Sequence, residues 1–139
     1  MPDLLTIGQA ASATGLSVHA LRWFGAEGML LRDVPRTASG RRRYAEEDIE
    51  WILLCNRFRA SGMPIETIVR FAALVRQGPG NEQERLDLLR SHEDRVRTDI
   101  DVLREHLDVI SAKVRAYEQH LTAGTASELW DPRAGAQAP

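Results

Sequence analysis

Short runs of apolar residues at helical spacing, separated by tight turns, open the chain. After an extended entry, Thr6 can cap a first helix over residues 7–13, whose apolar side chains share one face. A tight turn follows at residues 14–16, and Ser17 is a favourable N-cap for a second helix that continues to residue 24. Two short helices joined by a glycine-containing turn predict a helix-turn-helix unit.

Glycine and proline mark the elements that follow. Residues 30–44 predict a β-hairpin, punctuated by Pro35 and by a Ser-Gly pair at residues 39 and 40. Acidic residues then start a helix over residues 45–61, where they complement the helix dipole. A further helix begins at Pro64, whose fixed φ suits a first turn, and it runs to residue 77. The pattern therefore predicts a mainly α fold.

A heptad pattern dominates the second half of the chain. Residues 81–121 contain neither proline nor glycine, and their apolar residues recur at alternating steps of three and four, with Glu93 as the interruption. A helix of about 40 residues would be about 60 Å long, so its apolar stripe must meet the same helix of another chain. We predict a homodimer held by the seam residues, which are Val96, Ile100, Leu103, Leu107, Ile110, Val114, Tyr117 and Leu121.

Positive charge concentrates in the predicted hairpin. The 139-residue chain has a formal net charge of −2, yet the segment 32–43 carries five arginines against one aspartate. Local charge is what contacts phosphate, so a basic hairpin beside the second helix suits a polyanion. The sequence shows no signal-peptide core or membrane-spanning run, and its single cysteine fits a reducing compartment, so we expect a cytoplasmic protein without a membrane partner.

Residues 5–77 resemble the MerR family of bacterial transcription regulators. The resemblance rests on spaced motifs in the right order, among them Thr6-Ile7-Gly8-Gln9-Ala10-Ala11, Leu21-Arg22-Trp23-Phe24, Arg36-Thr37-Ala38-Ser39-Gly40 and Ser61-Gly62-Met63-Pro64. The long helix is similar to that of the short, aldehyde- and thiol-stress-type branch of the family. This resemblance implies a winged helix-turn-helix head followed by a long C-terminal dimerisation helix that forms an antiparallel coiled coil.

The resemblance also implies a mode of action. Dimers of the family bind double-stranded promoter DNA at a pseudo-palindrome with an over-long spacer. They bend and untwist it so that the RNA polymerase holoenzyme can engage. We therefore expect three parts: a winged helix-turn-helix DNA-binding domain over residues 1–77, a coiled-coil dimerisation helix over residues 81–121, and a flexible tail over residues 122–139.

The candidate DNA contacts divide between the second helix and the hairpin. His19 shares a helix face with Arg22 and Trp23 and is the chief base-edge candidate. The usual family pattern Arg-Tyr-Tyr-Glu here reads Arg22-Trp23-Phe24-Gly25, which loses two phenolic hydroxyls. We hypothesise that extra hairpin arginines replace the lost phosphate contacts, the alternative being that Arg36, Arg41 and Arg43 are merely solvated. The predicted DNA-binding residues are Ser17, Val18, His19, Arg22, Trp23, Arg36, Arg41, Arg42, Arg43 and Tyr44.

Other reactive residues are weaker candidates. Cys55 lies two residues before Arg57, which occupies the position of the family's sensor cysteine, and a step of two residues turns a helix by about 200°. We expect Cys55 to be apolar filler, with a sensor role as the alternative. His92, His106 and His120 share one heptad slot, but consecutive members are about 21 Å apart, so we predict no metal and no cofactor. No catalytic constellation is present, and we expect no enzyme.

Two other functions stay open beside a sequence-specific regulator. The chain could be a coiled-coil adaptor whose winged head binds protein, or a nucleoid-type DNA binder without sequence preference. The arginine hairpin beside Arg22 favours DNA over the adaptor, because an adaptor needs no such cluster. A defined pseudo-palindromic footprint would distinguish the regulator from the nucleoid-type binder.

Overall fold

The computed structural model describes residues 4–135, which are mainly helical. In chain order the elements are β1 (Leu5–Thr6), α1 (Ile7–Thr14), α2 (Val18–Ala26), β2 (Arg43–Tyr44), α3 (Glu46–Ala60), α4 (Ile65–Arg76), α5 (Glu82–Ala123), a 3-10 helix (Ala126–Glu128) and α6 (Pro132–Gly135). The predicted fold is confirmed, with a helix-turn-helix, a hairpin and a long helix in the C-terminal half in the expected order. No helix among the described residues is long and apolar enough to cross a membrane.

Local capping fixes the helix-turn-helix. The Thr6 Oγ1 accepts from the N–H of Gln9 at 3.1 Å, and the Gln9 Oε1 accepts from the N–H of Thr6 at 2.9 Å, which makes a capping box. Gly15 ends α1 at a φ of 71°, a left-handed conformation that glycine adopts without strain. The Ser17 Oγ then accepts from the N–H of Ala20 at 3.0 Å and starts α2. These caps fix where α1 begins and ends and where α2 begins.

A β-hairpin over residues 35–43, here called the wing, follows α2 and is tied to the start of the chain. Within it, Arg36 pairs with Arg42 in an antiparallel bridge, and the N–H of Arg43 donates to the carbonyl of Pro35 at 2.8 Å. The chain then continues into β2, which pairs antiparallel with β1, placing Tyr44 opposite Leu5. The base of the wing is therefore fixed against the N-terminal end of α1.

Two adjoining clusters of buried side chains form the core of the head, the part from β1 to α4. Ala10, Leu21, Tyr44, Ile49 and Ile52 make the first cluster, where α1, α2 and α3 meet the sheet. The second cluster comprises Phe24, Met29, Cys55, Met63 and Ile68 and joins α2 to α3 and α4. Because α2 contributes to both clusters, its orientation relative to α3 and α4 is determined by close packing.

A buried carboxylate fastens the loop before the wing to α3. Asp48, 8% exposed, accepts from Arg32 Nε at 3.0 Å and Nη2 at 2.6 Å, and it also accepts from the N–H of Ala45 at 2.7 Å. The hydrogen-bonded carboxylate raises the pKa of the Arg32 guanidinium. All three donors satisfy a carboxylate that would otherwise be costly to bury.

The described residues divide into two compact units, one ending at Val96 and the other starting at Arg97. The first unit extends past the predicted boundary at residue 77 because the first turns of α5 contact the head. Asn81 Nδ2 donates to the carbonyl of Leu74 at 2.8 Å, and His92 Nε2 lies 2.8 Å from the Ser61 Oγ. The division into functional domains stays a prediction.

The second unit contains α5 from Arg97 onward and two short helical elements. None of the 42 residues of α5 is buried. The helix ends at Ala123, and His120 Nδ1 lies 2.8 Å from the Thr125 Oγ1 in the turn that follows. A 3-10 helix and α6 then occupy part of the segment that the sequence predicted as a flexible tail, and residues 136–139 of that segment lie outside the described residues. The prediction missed these elements because each spans only three or four residues.

Candidate nucleic-acid interface

Helix α2 presents a polar strip on the surface of the head. Leu21 and Phe24 are buried, which leaves His19 and Arg22 exposed on the opposite side of the helix. Ser17 is also exposed; its Oγ accepts the capping hydrogen bond, so its O–H can donate to another group. A donor at the N-terminus of a helix, a histidine and an arginine on one strip form a surface that can contact base edges and phosphates.

Arginines from α2 and from the wing converge on one open cleft, here called the wing cleft. Its lining consists of Thr6, Ile7, Arg22, Arg36, Gly40, Arg41, Arg42 and Arg43. Five of these eight residues are arginines, and no acidic residue belongs to the described lining. The sequence predicted all five as DNA contacts, and the structure brings them together although Arg22 lies 14 residues before Arg36. Such a concentration of guanidinium groups suits a phosphate backbone.

The wing has the backbone of a tight hairpin that holds its arginines in place. The N–H of Gly40 donates to the carbonyl of Thr37 at 2.9 Å, and the N–H of Thr37 donates to the carbonyl of Arg41 at 2.7 Å. Gly40 has a φ of 81° and therefore supplies the left-handed conformation that this three-residue loop requires. The Arg36 Nη1 donates to the Gly40 carbonyl at 3.4 Å, a long bond that leaves most of the guanidinium available.

The prediction of Tyr44 as a DNA contact is wrong for its side chain. Tyr44 is 0% exposed and packs in the first core cluster, because pairing of β2 with β1 places it against Leu5 and the interior of the head. Its hydroxyl is buried without a hydrogen-bond partner among the described residues. Tyr44 therefore anchors the base of the wing in the core of the head. Its neighbours Arg42 and Arg43 are half-buried and remain candidate DNA contacts.

Trp23 has two neighbours that sequence reasoning did not anticipate. Its ring meets Phe24 edge to face, with centroids 5.7 Å apart. The Arg59 Cζ lies over the same ring, 4.6 Å from its centroid, a cation–π distance. Arg59 is exposed in the last turn of α3, 36 residues after Trp23. No spacing rule connects the two positions, so only the packing of α2 on α3 could reveal the pair.

Cys55 lies inside the head and away from this surface. It is 0% exposed in the second core cluster, with its Sγ 3.9 Å from the carbonyl of Met29. Burial raises the pKa of the thiol to about 12, because an apolar surrounding disfavours the thiolate. The structure thus places Cys55 in the apolar core, as expected from the apolar filler that the sequence predicted.

Two of the three histidines of the heptad slot make local contacts. His92 Nε2 lies 2.8 Å from the Ser61 Oγ, and His120 Nδ1 lies 2.8 Å from the Thr125 Oγ1. No group of three or more His, Cys, Asp or Glu residues within the described chain is placed to hold a metal ion.

The family model of the MerR HTH family regulatory proteins matches residues 5–74 of the chain, which include α2, the wing and α3. The chain belongs to the MerR family. An uncharacterized HTH-type transcriptional regulator of Haemophilus influenzae is 34% identical over 95 residues, which are 68% of this chain and 70% of that protein. As a MerR-type transcriptional regulator, the chain is not an enzyme.

Solved structures extend the likeness along α5. The crystal structure of a MerR family transcriptional regulator from Listeria monocytogenes matches with a TM-score of 0.82 and 30% identity, covering 88% of this chain and 92% of that one. HiNmlR, described as a MerR family regulator lacking the sensor domain and bound to promoter DNA, matches with a TM-score of 0.78 and 29% identity, covering 91% of this chain and 99% of its own. The MerR fold here thus includes the long helix as well as the head.

Proposed function

We propose that this MerR-family chain acts as a homodimeric, sequence-specific regulator at a promoter with an over-long spacer. The observation that carries the proposal is the wing cleft, where Arg22 of α2 meets four arginines of the wing. A helix with an exposed histidine and arginine can enter a groove while the wing binds the flanking phosphates. The solved structure of HiNmlR bound to promoter DNA supports the same mode of binding for this chain.

The proposed DNA contacts are divided between the start of α2 and the wing cleft, in line with the division between helix and hairpin that the sequence predicted. His19 and Ser17, with Val18 between them, contact base edges and phosphates at the start of α2. The guanidinium groups of Arg22, Arg36, Arg41, Arg42 and Arg43 bind phosphates from the wing cleft. These arginines also supply the phosphate contacts that the family obtains from tyrosine hydroxyls at positions 23 and 24.

The partner of α5 in this proposal is a second copy of the chain. Seven of the eight seam residues are more than 40% exposed, from Ile100 at 41% to Leu121 at 68%. Such a row of large apolar side chains is unfavourable in water and becomes favourable when a second helix covers it. In the antiparallel arrangement of the family, the two heads lie at opposite ends of the coil and bind the two halves of a pseudo-palindrome.

The dimer distorts the spacer so that the RNA polymerase holoenzyme can engage both promoter elements. This step, and the location of the protein in the cytoplasm where that DNA lies, follow from family membership rather than from any contact within the chain. Distortion of DNA requires that the protein hold phosphates on both sides of each half-site. In the proposed dimer each head binds the phosphates of one half-site, and the coil joins the two heads.

The test separates base contacts from phosphate contacts. The probes are a duplex selected by the wild-type protein from a random library and a duplex of scrambled sequence, measured by fluorescence anisotropy across a salt series. We expect Arg42→Ala to weaken both duplexes by similar factors and to lower the salt slope by about one unit, because one phosphate contact is lost. His19→Ala should weaken the selected duplex alone, by about 1–3 kcal/mol.

Each rival function gives a different result in this experiment. An adaptor would select no duplex, and Arg42→Ala would change neither affinity nor slope. A nucleoid-type binder would bind both duplexes equally, and His19→Ala would reduce both or neither. Footprinting of the selected duplex should show two protected half-sites related by a pseudo-twofold axis.

A further inference from the structure

A second open cleft lies beside the wing, and we call it the loop cleft. It has a volume of about 480 Å³, and its lining includes Gly25, Leu30, Arg32, Val34, Arg36 and Arg42. Arg36 and Arg42 lie opposite each other across the wing, where they form an antiparallel bridge. Both arginines also line the wing cleft, together with Arg41 and Arg43. The two clefts therefore share Arg36 and Arg42.

The charged groups of the loop cleft leave guanidinium donors available. Arg32 donates through its Nε and Nη2 to Asp48, and that carboxylate balances its charge. Arg36 makes one long bond, at 3.4 Å, to a backbone carbonyl, and the Arg42 guanidinium has no hydrogen-bond partner within the described residues. Asp33 is the one carboxylate in the described lining. Two available guanidinium groups against one carboxylate give the cleft a positive balance.

Gly25 leaves the loop cleft open, and neither its backbone nor its packing requires glycine. It lies inside α2 and does not have a positive φ. A Cβ at this position would lie 3.5 Å from the Leu30 Cδ1, which is an ordinary contact. Glycine also weakens a helix, because it loses the most conformational freedom on folding. The family pattern has a glutamate here, so the cleft lacks a carboxylate that a side chain would supply.

We propose that the loop cleft binds a small organic carboxylate through Arg36 and Arg42. The planar guanidinium fork pairs with a carboxylate in a strong and directional contact. Leu30 and Val34 supply an apolar part of the lining, which suits the hydrocarbon part of an organic acid better than it suits inorganic phosphate. Tyr44 also lines the cleft, and its buried hydroxyl has no hydrogen-bond partner among the described residues.

A carboxylate in the loop cleft competes with DNA for two guanidinium groups. Arg36 and Arg42 line both clefts, so an anion bound to them in the loop cleft removes them from the phosphates of the duplex. The occupant therefore acts as an inhibitor of DNA binding. This consequence rests on the proposed function, whereas the binding of the carboxylate itself does not.

Binding is measured first without DNA, on the full-length protein. Glutarate is the probe, titrated at constant ionic strength while the Nε–H signals of the arginines are followed by nuclear magnetic resonance. The signals of Arg36 and Arg42, assigned from Arg→Lys variants, should shift and saturate. The signal of Arg57, which lies in the last turn of α3 and outside both linings, should not shift. Glutaramide has a similar shape but no charge and should cause no shift.

Two substitutions at Gly25 form a matched pair. Gly25→Glu places a carboxylate of the chain itself at the cleft, whereas Gly25→Ala adds only a methyl group that has room beside Leu30. Glutarate should shift the two arginine signals in Gly25→Ala as in the wild type, but not in Gly25→Glu. Circular dichroism would check that both variants are folded. Asp33→Asn removes the opposing charge and should make glutarate bind several-fold more tightly.

The same variants are then measured on selected and scrambled duplexes across a salt series. Saturating glutarate should weaken the binding of both duplexes to the wild type and lower the salt slope by about one to two units, because up to two phosphate contacts are lost. Gly25→Glu should show this lower slope without glutarate and should not respond when it is added.

Several results would overturn the proposal, and each is distinct from a failure of the proposed function. If glutarate shifts no arginine signal, or shifts Arg57 equally, the loop cleft is not a site. Unchanged binding in Gly25→Glu would place the carboxylate elsewhere, and equal shifts with inorganic phosphate would show a site for any anion. If glutarate binds but leaves DNA affinity unchanged while Arg42→Ala lowers the slope, the inhibition is wrong and the proposed function stands. If Arg42→Ala leaves the slope unchanged, the proposed function fails, and shifts measured without DNA still support the site.

Discussion

The head and the long helix bury their apolar residues in different ways. In the head, Phe24, Ile52 and Ile68 are each 0% exposed within a single chain. Along α5, Leu107 is 58% exposed and Leu103 is 64% exposed, although both are as apolar as the residues of the head. The heptad spacing of α5 is regular, so the exposure does not reflect a weak pattern.

This difference indicates that the head and α5 are stabilised in different ways. The head has its own core, closed by helix caps and by the Arg32–Asp48 ion pair, and can hold its interface in shape within one chain. In the proposed dimer α5 reaches a second chain, and its apolar row contributes little to stability until that chain is present. Disrupting the helix should therefore abolish assembly while leaving the head folded, and disrupting the core should do the reverse.

The largest effect is expected from Leu107→Asp. A carboxylate in the middle of the seam would be desolvated against apolar side chains, so the dimer should dissociate into monomers at micromolar concentration. Sedimentation velocity would measure the change in mass. Because each monomer keeps one head, affinity for a pseudo-palindromic duplex should also fall steeply, while affinity for an isolated half-site should change little.

Val109→Asp is the matched control for that change. Val109 is 65% exposed on the same helix, two residues from Leu107 but about 200° around its axis and outside the seam. This variant should remain a dimer. A wild-type protein that sediments as a monomer at micromolar concentration would contradict the dimer, and dissociation by both variants would show that the interface is not the predicted seam.

A smaller effect is expected from Phe24→Ala in the head. Removing a buried phenyl ring from the second core cluster leaves a cavity and should lower the free energy of unfolding by about 3–5 kcal/mol. Chemical denaturation followed by near-ultraviolet circular dichroism would measure it. If the head and α5 are stabilised separately, sedimentation should still find a dimer of this variant under conditions where its head is folded.

Leu54→Ala controls for the loss of an apolar side chain from a helix of the same head. Leu54 is 37% exposed on α3, so its truncation should have a much smaller effect than that of Phe24. If both variants lose similar stability, the head is not organised around the buried clusters that the structure shows.

Much of the head could be predicted from local signals in the sequence. The capping residues Thr6 and Ser17 and the glycine of the wing each act within a few positions, so the helix starts and the hairpin lie where the pattern placed them. The five arginines of the wing cleft could be predicted for the same reason, because four lie on one hairpin and the fifth on the helix before it.

What the sequence missed depends on contacts between distant positions. Tyr44 was predicted as a DNA contact from its place in a family-like wing pattern, but β2 pairs with β1 so that Tyr44 lies opposite Leu5, and its side chain is buried. Arg59 was not predicted at all, since its contact with Trp23 exists only after α2 has packed on α3. Helical spacing did place Cys55 correctly, because a single α-helix determines which face it occupies.

The smallest effect is expected in the accessibility of Cys55 to a thiol reagent. Cys55 is the one thiol of the chain and lies in the head, so it reports on whether the head is folded. Its burial predicts slow reaction with a thiol reagent at pH 8 in the native protein and rapid reaction in denaturant. If the head folds without help from the coil, Leu107→Asp should leave this protection almost unchanged. Rapid labelling of the monomeric variant would show that dimerisation maintains the core of the head.

The raised pKa of Cys55 also predicts a dependence of stability on pH. The thiol ionises near 8.5 in the unfolded chain but at about 12 in the folded one, so the folded state retains a proton that the unfolded state loses. Stability from this group is complete below pH 8.5 and declines as pH rises towards 12, by at most about 1.4 kcal/mol per pH unit. In denaturant titrations from pH 7 to 10, the free energy of unfolding of the wild type relative to that of Cys55→Ala should therefore fall as pH rises, because only the wild type carries the thiol.

Cys55→Ser should leave DNA binding and any inducer response intact, because a buried thiol of high pKa is a poor sensor. A reporter that lost its response at unchanged protein level and unchanged DNA binding would show that Cys55 is a sensor after all.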